Sequence, residues 1–188
     1  RRQRQMCIRD SMQALVGVVR FAEGAFDAAI DLFIEVDANP TKVLALYPVE
    51  VAGHLSQKPK TWLRLWGEDR EIEHVESDAG VGAALDSLVR FLNDRRQRLK
   101  ALSAAKDAAD TAAASDTPAD IPLDKAPPYA PLLGTTQLRA AAQAVDTALL
   151  KAFLLTKPAL VGALCRVDNH CDVPAVAVAV SYTHLRAH

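Results

Sequence analysis

Apolar residues recur at helical spacing near the C-terminal end of the chain. After Gln137 they follow three-, four- and seven-residue steps, which place them on one helix face: Leu138, Ala142, Val145, Leu149 and Phe153. The polar residues between them are predicted to point mostly elsewhere: Arg139, Gln143, Asp146 and Lys151. Because Pro158 disfavours a helical residue before it, this helix should end near Thr156 and a second should run from Ala159 to Cys165. So short a turn predicts an antiparallel hairpin, the unit of helical solenoids.

A second helical hairpin is predicted nearer the N-terminal end. One apolar stripe covers 12–23 and another covers 26–34, with Gly24 between them. The residues expected to pack between these two helices are small or aromatic: Phe26, Ala28, Ala29 and Phe33. Asn39 as an N-cap and Pro40 in the first helical position then predict that a short helix begins there.

The region 49–80 carries weaker signals and is predicted to be an irregular excursion. Glycine and proline interrupt it, and acidic residues cluster around His74 on what we interpret as a solvated face. Trp62 and Trp66 are spaced to share a helical face. Packing against the solenoid is the favoured interpretation of this pair, and an exposed partner-binding pair is the alternative.

The longest predicted helix covers 81–102. Its apolar face consists of leucines at three-, four- and seven-residue steps: Leu85, Leu88, Leu92, Leu99 and Leu102. Arg95 interrupts this face, and the basic run over 94–100 suits the negative end of the helix dipole. We interpret the basic run as a solvated face. Contact with anionic lipid or nucleic acid is the alternative, which no interleaved aromatic residue supports.

Residues 103–133 are predicted to be a linker, because they contain ten Ala, five Pro and five Asp. An Ala-rich helix is expected up to about residue 114, followed by disorder beyond 115. Residues 127–131 have the spacing of a polyproline ligand, but Pro-rich linkers show that spacing by chance.

The two ends of the chain resemble translated sequencing adapter. The DNA word CAG ATG TGT ATA AGA GAC encodes 5–10, and its reverse complement, read on in the same frame, gives 180–185. One transposon-end sequence, translated forward at one end of the chain and as its reverse complement at the other, explains both peptides. Residues 1–11 and 180–188 are therefore predicted to be non-native. We interpret the remaining window, 12–179, as an internal part of a longer gene.

Without these ends the chain is acidic. Removing five arginines and one aspartate from 22 basic and 23 acidic residues leaves 17 and 22, a net charge of −5. The basic arm that would have favoured nucleic-acid binding is therefore lost.

The composition, rich in Ala, Leu and Val and with 5% aromatic residues, predicts an all-α fold. No apolar run reaches the roughly 18 residues needed to cross a bilayer. Cys165 and Cys171 are too few for a disulfide framework, which favours a reducing cytosolic setting.

One cluster of reactive residue types stands near the C-terminal end: Cys165, Asp168, His170 and Cys171. A structural zinc site needs four ligands, whereas this segment offers three and a weak carboxylate. A hydrolase using the adjacent His170 and Cys171 would need an irregular loop and a pocket that contains both. The favoured interpretation is structural: Asp168 and Asn169 shape a turn, His170 caps or hydrogen-bonds, and both cysteines fill core space. We predict no catalytic, cofactor-binding or metal-binding residue and no enzyme activity, because no phosphate-binding or catalytic motif occurs.

The segment 145–154, followed by 166–172, resembles the vacuolar protein sorting-associated protein 39 family, which includes TGF-beta receptor-associated protein. The most specific part of the likeness is the block 169–171, with the letters Asn-His-Cys. Two further stretches, 26–47 and 85–102, resemble helical segments of the same family and stand in the family's order. The expected disordered gap separates the second of these stretches from the C-terminal one.

The resemblance implies a subunit of the HOPS or CORVET tether, peripheral on late endosome, lysosome or vacuole membranes. That family couples an N-terminal propeller to a C-terminal helical solenoid, and this window would fall in the solenoid. The implied partners are other tether subunits, with small GTPases and SNAREs contacted through parts outside this window. No nucleic acid, cofactor or transmembrane segment is expected. The alternative is a helical-repeat adaptor unrelated to tethering, which a concave surface lined with basic and Asn side chains would favour.

Together, these patterns predict helical hairpins of an α-solenoid, similar to tetratricopeptide or clathrin repeats, with a disordered internal linker. A helical-repeat segment covers 12–102, with the irregular excursion at 49–80 inside it. The linker covers 103–133, and the family-like hairpin covers 134–179.

Overall fold

The computed structural model describes the main chain of residues 2–55, 78–110 and 135–178, and the side chains of 9–55, 81–105 and 137–178. Helices dominate these residues, and no strand occurs among them, so the all-α prediction is confirmed. Several predicted features lie outside the described residues: Trp62, Trp66, His74, the polyproline spacing at 127–131 and the C-terminal peptide 180–188.

The helices succeed one another in chain order: α1 Arg2–Ala22, α2 Phe26–Glu35, α3 Pro40–Leu44, α4 Val49–Ala52, α5 Asp78–Asp110, α6 Thr135–Thr156 and α7 Val161–Arg166. Short 3-10 turns cover Gly53–Leu55 and Pro158–Leu160, and a further helical segment covers 173–178. Helix α1 packs on α2, α2 packs on α5, and α5 packs on α6. Helices α3 and α4 also contact α6, so residues distant in sequence share one core.

The N-terminal hairpin forms as predicted, with different residues at its closest approach. Gly24, at φ +79°, separates α1 from α2. Ala29 is buried, but Ala28 is exposed, so the prediction that both alanines pack between the helices is wrong for Ala28. The small residue facing α2 is Gly17, which lies against the Phe33 ring.

Helix α1 begins at Arg2 rather than near residue 12, and it therefore includes most of the N-terminal peptide that we interpret as adapter-derived. Extending an existing helix costs little, and Arg, Gln and Met are good helix formers. Helical structure in these residues is thus expected whatever their origin.

The short helix α3 confirms the predicted cap. Asn39 Oδ1 accepts from the backbone N–H of Thr41 at 3.0 Å, and Pro40 occupies the first helical position. The segment from Ala38 to Tyr47 is buried throughout and lies at the centre of the core. The Tyr47 hydroxyl donates to the Ala84 carbonyl of α5 at 3.2 Å.

Replacing Tyr47 by phenylalanine should lower the free energy of unfolding by about 1 kcal/mol at pH 7, because it leaves the buried Ala84 carbonyl without this donor. Burial, and secondarily the charge of Asp27, raises the pKa of Tyr47 far above its ordinary value. The stability contributed by the neutral phenol is full below about pH 10 and is lost as pH rises above it. Urea titrations at pH 7 and 11 should therefore show a smaller alkaline loss in Tyr47→Phe than in the parent chain.

Helix α5 confirms most of its predicted apolar face. Leu85, Leu88, Leu92 and Leu99 are buried, whereas Leu102 is 44% exposed. The helix continues to Asp110, eight residues beyond its predicted end and within the range expected for the Ala-rich segment. The residues beyond that point, 111–134, are not described.

The interpretation of 94–100 as a solvated basic face is wrong for Arg95 and Arg96. The Arg95 side chain is only 4% exposed, and it pairs with Asp37 and with Asp94, the latter at 2.6 Å. Arg96 forms an ion pair with an aspartate of α6. These acidic partners compensate the guanidinium groups of Arg95 and Arg96, which therefore link α5 to neighbouring segments. Arg98 and Lys100 are exposed, as the solvated-face interpretation predicts.

A further set of polar contacts joins α2 to α5. Arg90 forms an ion pair with Asp31 and donates to the Asp27 carbonyl at 3.0 Å. The Ser87 hydroxyl donates to Asp27 Oδ1 at 2.8 Å. Exposed pairs of this kind add little stability, but they fix how one helix is positioned along the other.

Helix α6 ends at Thr156 as predicted, and the chain resumes as the 3-10 turn and α7. Leu138, Val145, Leu149 and Phe153 are buried on the predicted face. Asp146 and Lys151 were expected to point mostly elsewhere, but they are 2% and 8% exposed. The reason is that α6 packs mainly against α5 and also contacts α3 and α4, so more than one face of α6 is covered.

Candidate functional site

The segment 167–172 follows α7 and lies against α5 and α6, and we call it the docked loop. Asp146 holds its centre: Oδ2 accepts from the backbone N–H of His170 at 2.7 Å, and Oδ1 accepts from Arg96 Nε at 2.7 Å. Arg96 Nη2 also donates to the Asp168 carbonyl at 2.8 Å. One ion pair between two helices therefore binds two backbone groups of the loop.

Two further contacts complete the docking. The backbone N–H of Asp172 donates to Thr147 Oγ1 at 2.8 Å. Asp172 Oδ1 in turn accepts from the backbone N–H of Ala175 at 3.3 Å, which caps the segment 173–178. The loop end is thus fixed both to α6 and to the helical segment that follows.

Asn169 shapes the turn, as predicted from its residue type. Its amide donates to the carbonyls of Leu164 at 3.3 Å and Val167 at 3.0 Å, and its Oδ1 accepts from the Cys171 backbone N–H at 3.3 Å. These bonds fold the loop back toward the end of α7. The sequence indicated this turn, because Asn side chains commonly bond to nearby backbone groups.

The structure separates the roles of the four residues in the reactive cluster. Asp168 is exposed and contributes its carbonyl, while His170 contributes its backbone N–H and places Nδ1 3.5 Å from Asp146 Oδ2. Cys171 is half-buried against the core. Cys165 is exposed, so the prediction that it fills core space is wrong. Cys165 lies on a different side of α7 from its buried neighbour, Leu164.

The electrostatic environment does not activate Cys171. Burial, followed by the charges of Asp146 and Cys165, raises the pKa of the Cys171 thiol to about 11, and Arg96 only partly opposes this. A thiol nucleophile instead requires a lowered pKa. The adjacent imidazole of His170 lies toward Asp146, which gives the hydrolase alternative no support.

Alkylation should show this difference directly. At pH 8, iodoacetamide should modify Cys171 about 100-fold more slowly in the folded chain than in urea, because a thiol with pKa near 11 contains little thiolate. The folded-state rate should keep rising up to about pH 11, whereas the rate in urea should level off near pH 9. Peptide mass spectrometry follows the site, with the exposed Cys165 as an internal comparison. Equal folded and unfolded rates would contradict the burial of this thiol.

Lys151, in α6, lies beside the turn that follows α4. A Cβ added at Gly53, where φ is +59°, would lie 3.2 Å from Lys151 Nζ, so the glycine leaves room for the ammonium group. Burial lowers the pKa of Lys151, and the charge of Asp172 partly opposes this. The lysine therefore lies beside the turn, and the charge of Asp172 in the docked loop favours its protonated form.

The residues that hold the docked loop were missed by sequence reasoning. The basic run that contains Arg96 indicates a solvated face, and the helical pattern predicts that Asp146 points mostly away from the apolar face. Neither pattern indicates a role for Thr147. One signal was present: Asp146 interrupts the run of small and apolar residues from 144 to 150, where a charge requires a partner. What this arrangement does chemically is fix a loop, since every contact described above is a hydrogen bond or an ion pair within the chain.

Metal-binding clusters and membrane-spanning helices are absent from the described residues. Within the described residues, no group of three or more His, Cys, Asp or Glu side chains is placed to hold a metal ion. None of the helices in the described parts of the chain has the length and apolar character needed to cross a membrane.

One family model matches part of the chain. Residues 145–184 match the family model described as Vacuolar sorting protein 39 domain 1. The match begins beside Asp146, includes the whole docked loop, and continues over 180–184, the start of the C-terminal peptide that we interpret as adapter-derived. That interpretation stays a prediction. No curated protein and no solved structure matched the chain. Over this minority of its length, the chain is similar to the vacuolar sorting protein 39 family and thereby to proteins of vacuolar sorting.

Proposed function

We propose that this chain is a scaffold segment of a vesicle-tethering subunit that acts in fusion at endosome and lysosome or vacuole membranes. The observation that carries the proposal is the family match over 145–184, which contains both Asp146 and the loop that Asp146 holds. The matched sequence thus corresponds to a connected structural feature rather than to helical composition alone. The proposed partners are other subunits of a HOPS or CORVET assembly, and the proposed location is the cytoplasmic surface of late endosomes, lysosomes or vacuoles.

The packing supports a passive mechanical role. Ion pairs join α2 to α5 and α5 to α6, and hydrogen bonds join α6 to the docked loop. Each element is therefore positioned by its neighbours, as in stacked repeats that transmit geometry through nearest-neighbour contacts. Such a segment would hold partner-binding parts of a longer protein at a set separation.

A segment exchange tests this proposal. In cells that lack their own Vps39-family subunit, the domain 1 stretch of that subunit is replaced by residues 145–179 of this chain. We expect the exchanged protein to restore fusion, measured as vacuole number per cell. The same exchange with Asp146→Ala should restore less, because the loop loses its central acceptor. An exchanged protein that is produced normally and assembles with the other subunits, yet leaves vacuoles unfused, would contradict the proposal.

A further inference from the structure

Two cysteines lie on either side of one short turn, and we call the backbone segments that carry them the two arms of this turn. Cys165 lies in α7 and Cys171 near the end of the docked loop, and both are free. The Asn169 amide binds both arms: it donates to the carbonyl of Leu164, next to Cys165, and accepts from the backbone N–H of Cys171. A single side chain thus spans the backbones that carry the two sulfur atoms.

The bridge between the two backbones is accompanied by an electrostatic effect of one thiol on the other. A charge on Cys165 contributes to the raised pKa of Cys171. Disulfides require Cα atoms about 4.4–6.8 Å apart. The Asn169 amide lies 3.3 Å from the Leu164 carbonyl and 3.3 Å from the Cys171 backbone nitrogen, so forming the disulfide requires the loop to move its two backbones from this bridged position into that range.

We propose that Cys165 and Cys171 form a reversible intrachain disulfide when the chain reacts with a hydroperoxide. The Cys165 thiolate attacks the O–O bond of hydrogen peroxide; an S–O bond forms, and the departing hydroxide takes a proton as water. The Cys171 sulfur then attacks the sulfenic sulfur while its thiol proton passes to the sulfenic oxygen; an S–S bond forms, the S–O bond breaks, and that oxygen leaves as water. Two thiols and one hydrogen peroxide give one disulfide and two waters, with the sulfurs oxidised and the peroxide oxygens reduced.

Exposure sets the order of these steps. Cys165 is exposed and meets the oxidant first, whereas Cys171 is half-buried and acts as the resolving thiol. The closed ring would contain Asn169 and His170 and would tie the docked loop to α7 covalently, in addition to the contacts of Arg96 and Asp146. In a reducing compartment such a bond is transient, as thioredoxin and glutathione reverse it.

Trypsin provides a direct test on the full chain, because Arg166 lies between the two cysteines. After peroxide treatment and blocking of free thiols, digestion should give peptides 152–166 and 167–186 joined with the loss of two hydrogen atoms. Dithiothreitol should separate them. Cys7 falls in a different peptide, 5–9, and serves as an internal comparison. On a non-reducing gel the protein should remain at monomer size.

A resolving-thiol variant completes the test. In Cys171→Ser the joined peptides should be absent, and dimedone should trap Cys165 as its sulfenic acid about 10-fold more than in the parent chain, where Cys171 competes for it. Equal dimedone trapping in both chains would overturn the proposal. Joined peptides found only in covalent dimers would overturn it as well, since the pairing would then be between molecules.

Discussion

Replacing Asp146 by alanine should lower the free energy of unfolding by about 3 kcal/mol. The Asp146 side chain is 3% exposed, and its removal leaves Arg96 Nε and the His170 N–H without their acceptor. Breaking a buried ion pair costs about 3–5 kcal/mol. The Arg96 side chain is 17% exposed and regains some water, which places the expected effect at the lower end of that range. Urea unfolding followed by circular dichroism measures the change.

Asp86 provides the matched control. Its ion pair with Lys157 is also close, at 2.8 Å, but the side chains are 60% and 48% exposed. Asp86→Ala should therefore change the free energy of unfolding by less than about 0.5 kcal/mol. Hydrogen exchange adds a local measurement, because only Asp146→Ala should speed exchange at the His170 amide. Equal shifts of the urea midpoint in the two variants would show that burial of Asp146 does not matter.

Helix boundaries were predictable because their signals act within a few residues. Gly24 supplies a positive φ, Asn39 accepts from the N–H two residues on, and Pro158 blocks the helix before it. Each signal works through neighbouring backbone, so the folded partner need not be known. The start of α1 was missed for the same reason: no local signal prevents the helix from extending back to Arg2.

The burial of charged residues was not predictable from local pattern. Arg95 and Arg96 lie in a basic run whose pattern indicates a solvated face. Their partners include Asp37, 58 positions from Arg95, and Asp146, 50 positions from Arg96. A helical pattern shows which residues share a face, but it does not show how many faces are covered. Helix α6 is covered on more than one, which is why Lys151 is buried.

The local turn of the candidate site could be predicted from the sequence, whereas its docking onto other helices could not. The turn at Asn169 depends on bonds within five residues and was expected from its residue type. The docking of that turn depends on Asp146 and Arg96, which come from other helices. The family resemblance identified this segment as the distinctive one, and the match over 145–184 agrees with it. The family resemblance did not indicate which residues hold the loop.

Replacing Gly17 by alanine should destabilise the chain by about 2 kcal/mol, although alanine is the better helix former by about 1 kcal/mol. An added Cβ would lie 2.7 Å from Phe33 Cε1, nearer than such atoms normally approach. Phe33 is fully buried, so its ring has no free space into which it can move. The α1–α2 hairpin must therefore open slightly or strain a rotamer, and thermal unfolding should show a lower midpoint.

The same substitution at Gly82 should act in the opposite direction. Gly82 is exposed in α5, and an added Cβ meets nothing within 4 Å, so alanine should stabilise the chain by about 0.5 kcal/mol. Phe33→Leu makes the comparison sharper, because a smaller side chain should relieve the clash. The cost of Gly17→Ala should then be smaller in the Phe33→Leu chain than in the parent chain, a coupling that a double-mutant cycle measures. Strict additivity, or stabilisation by both glycine substitutions, would mean that α1 and α2 are not in close contact at this position.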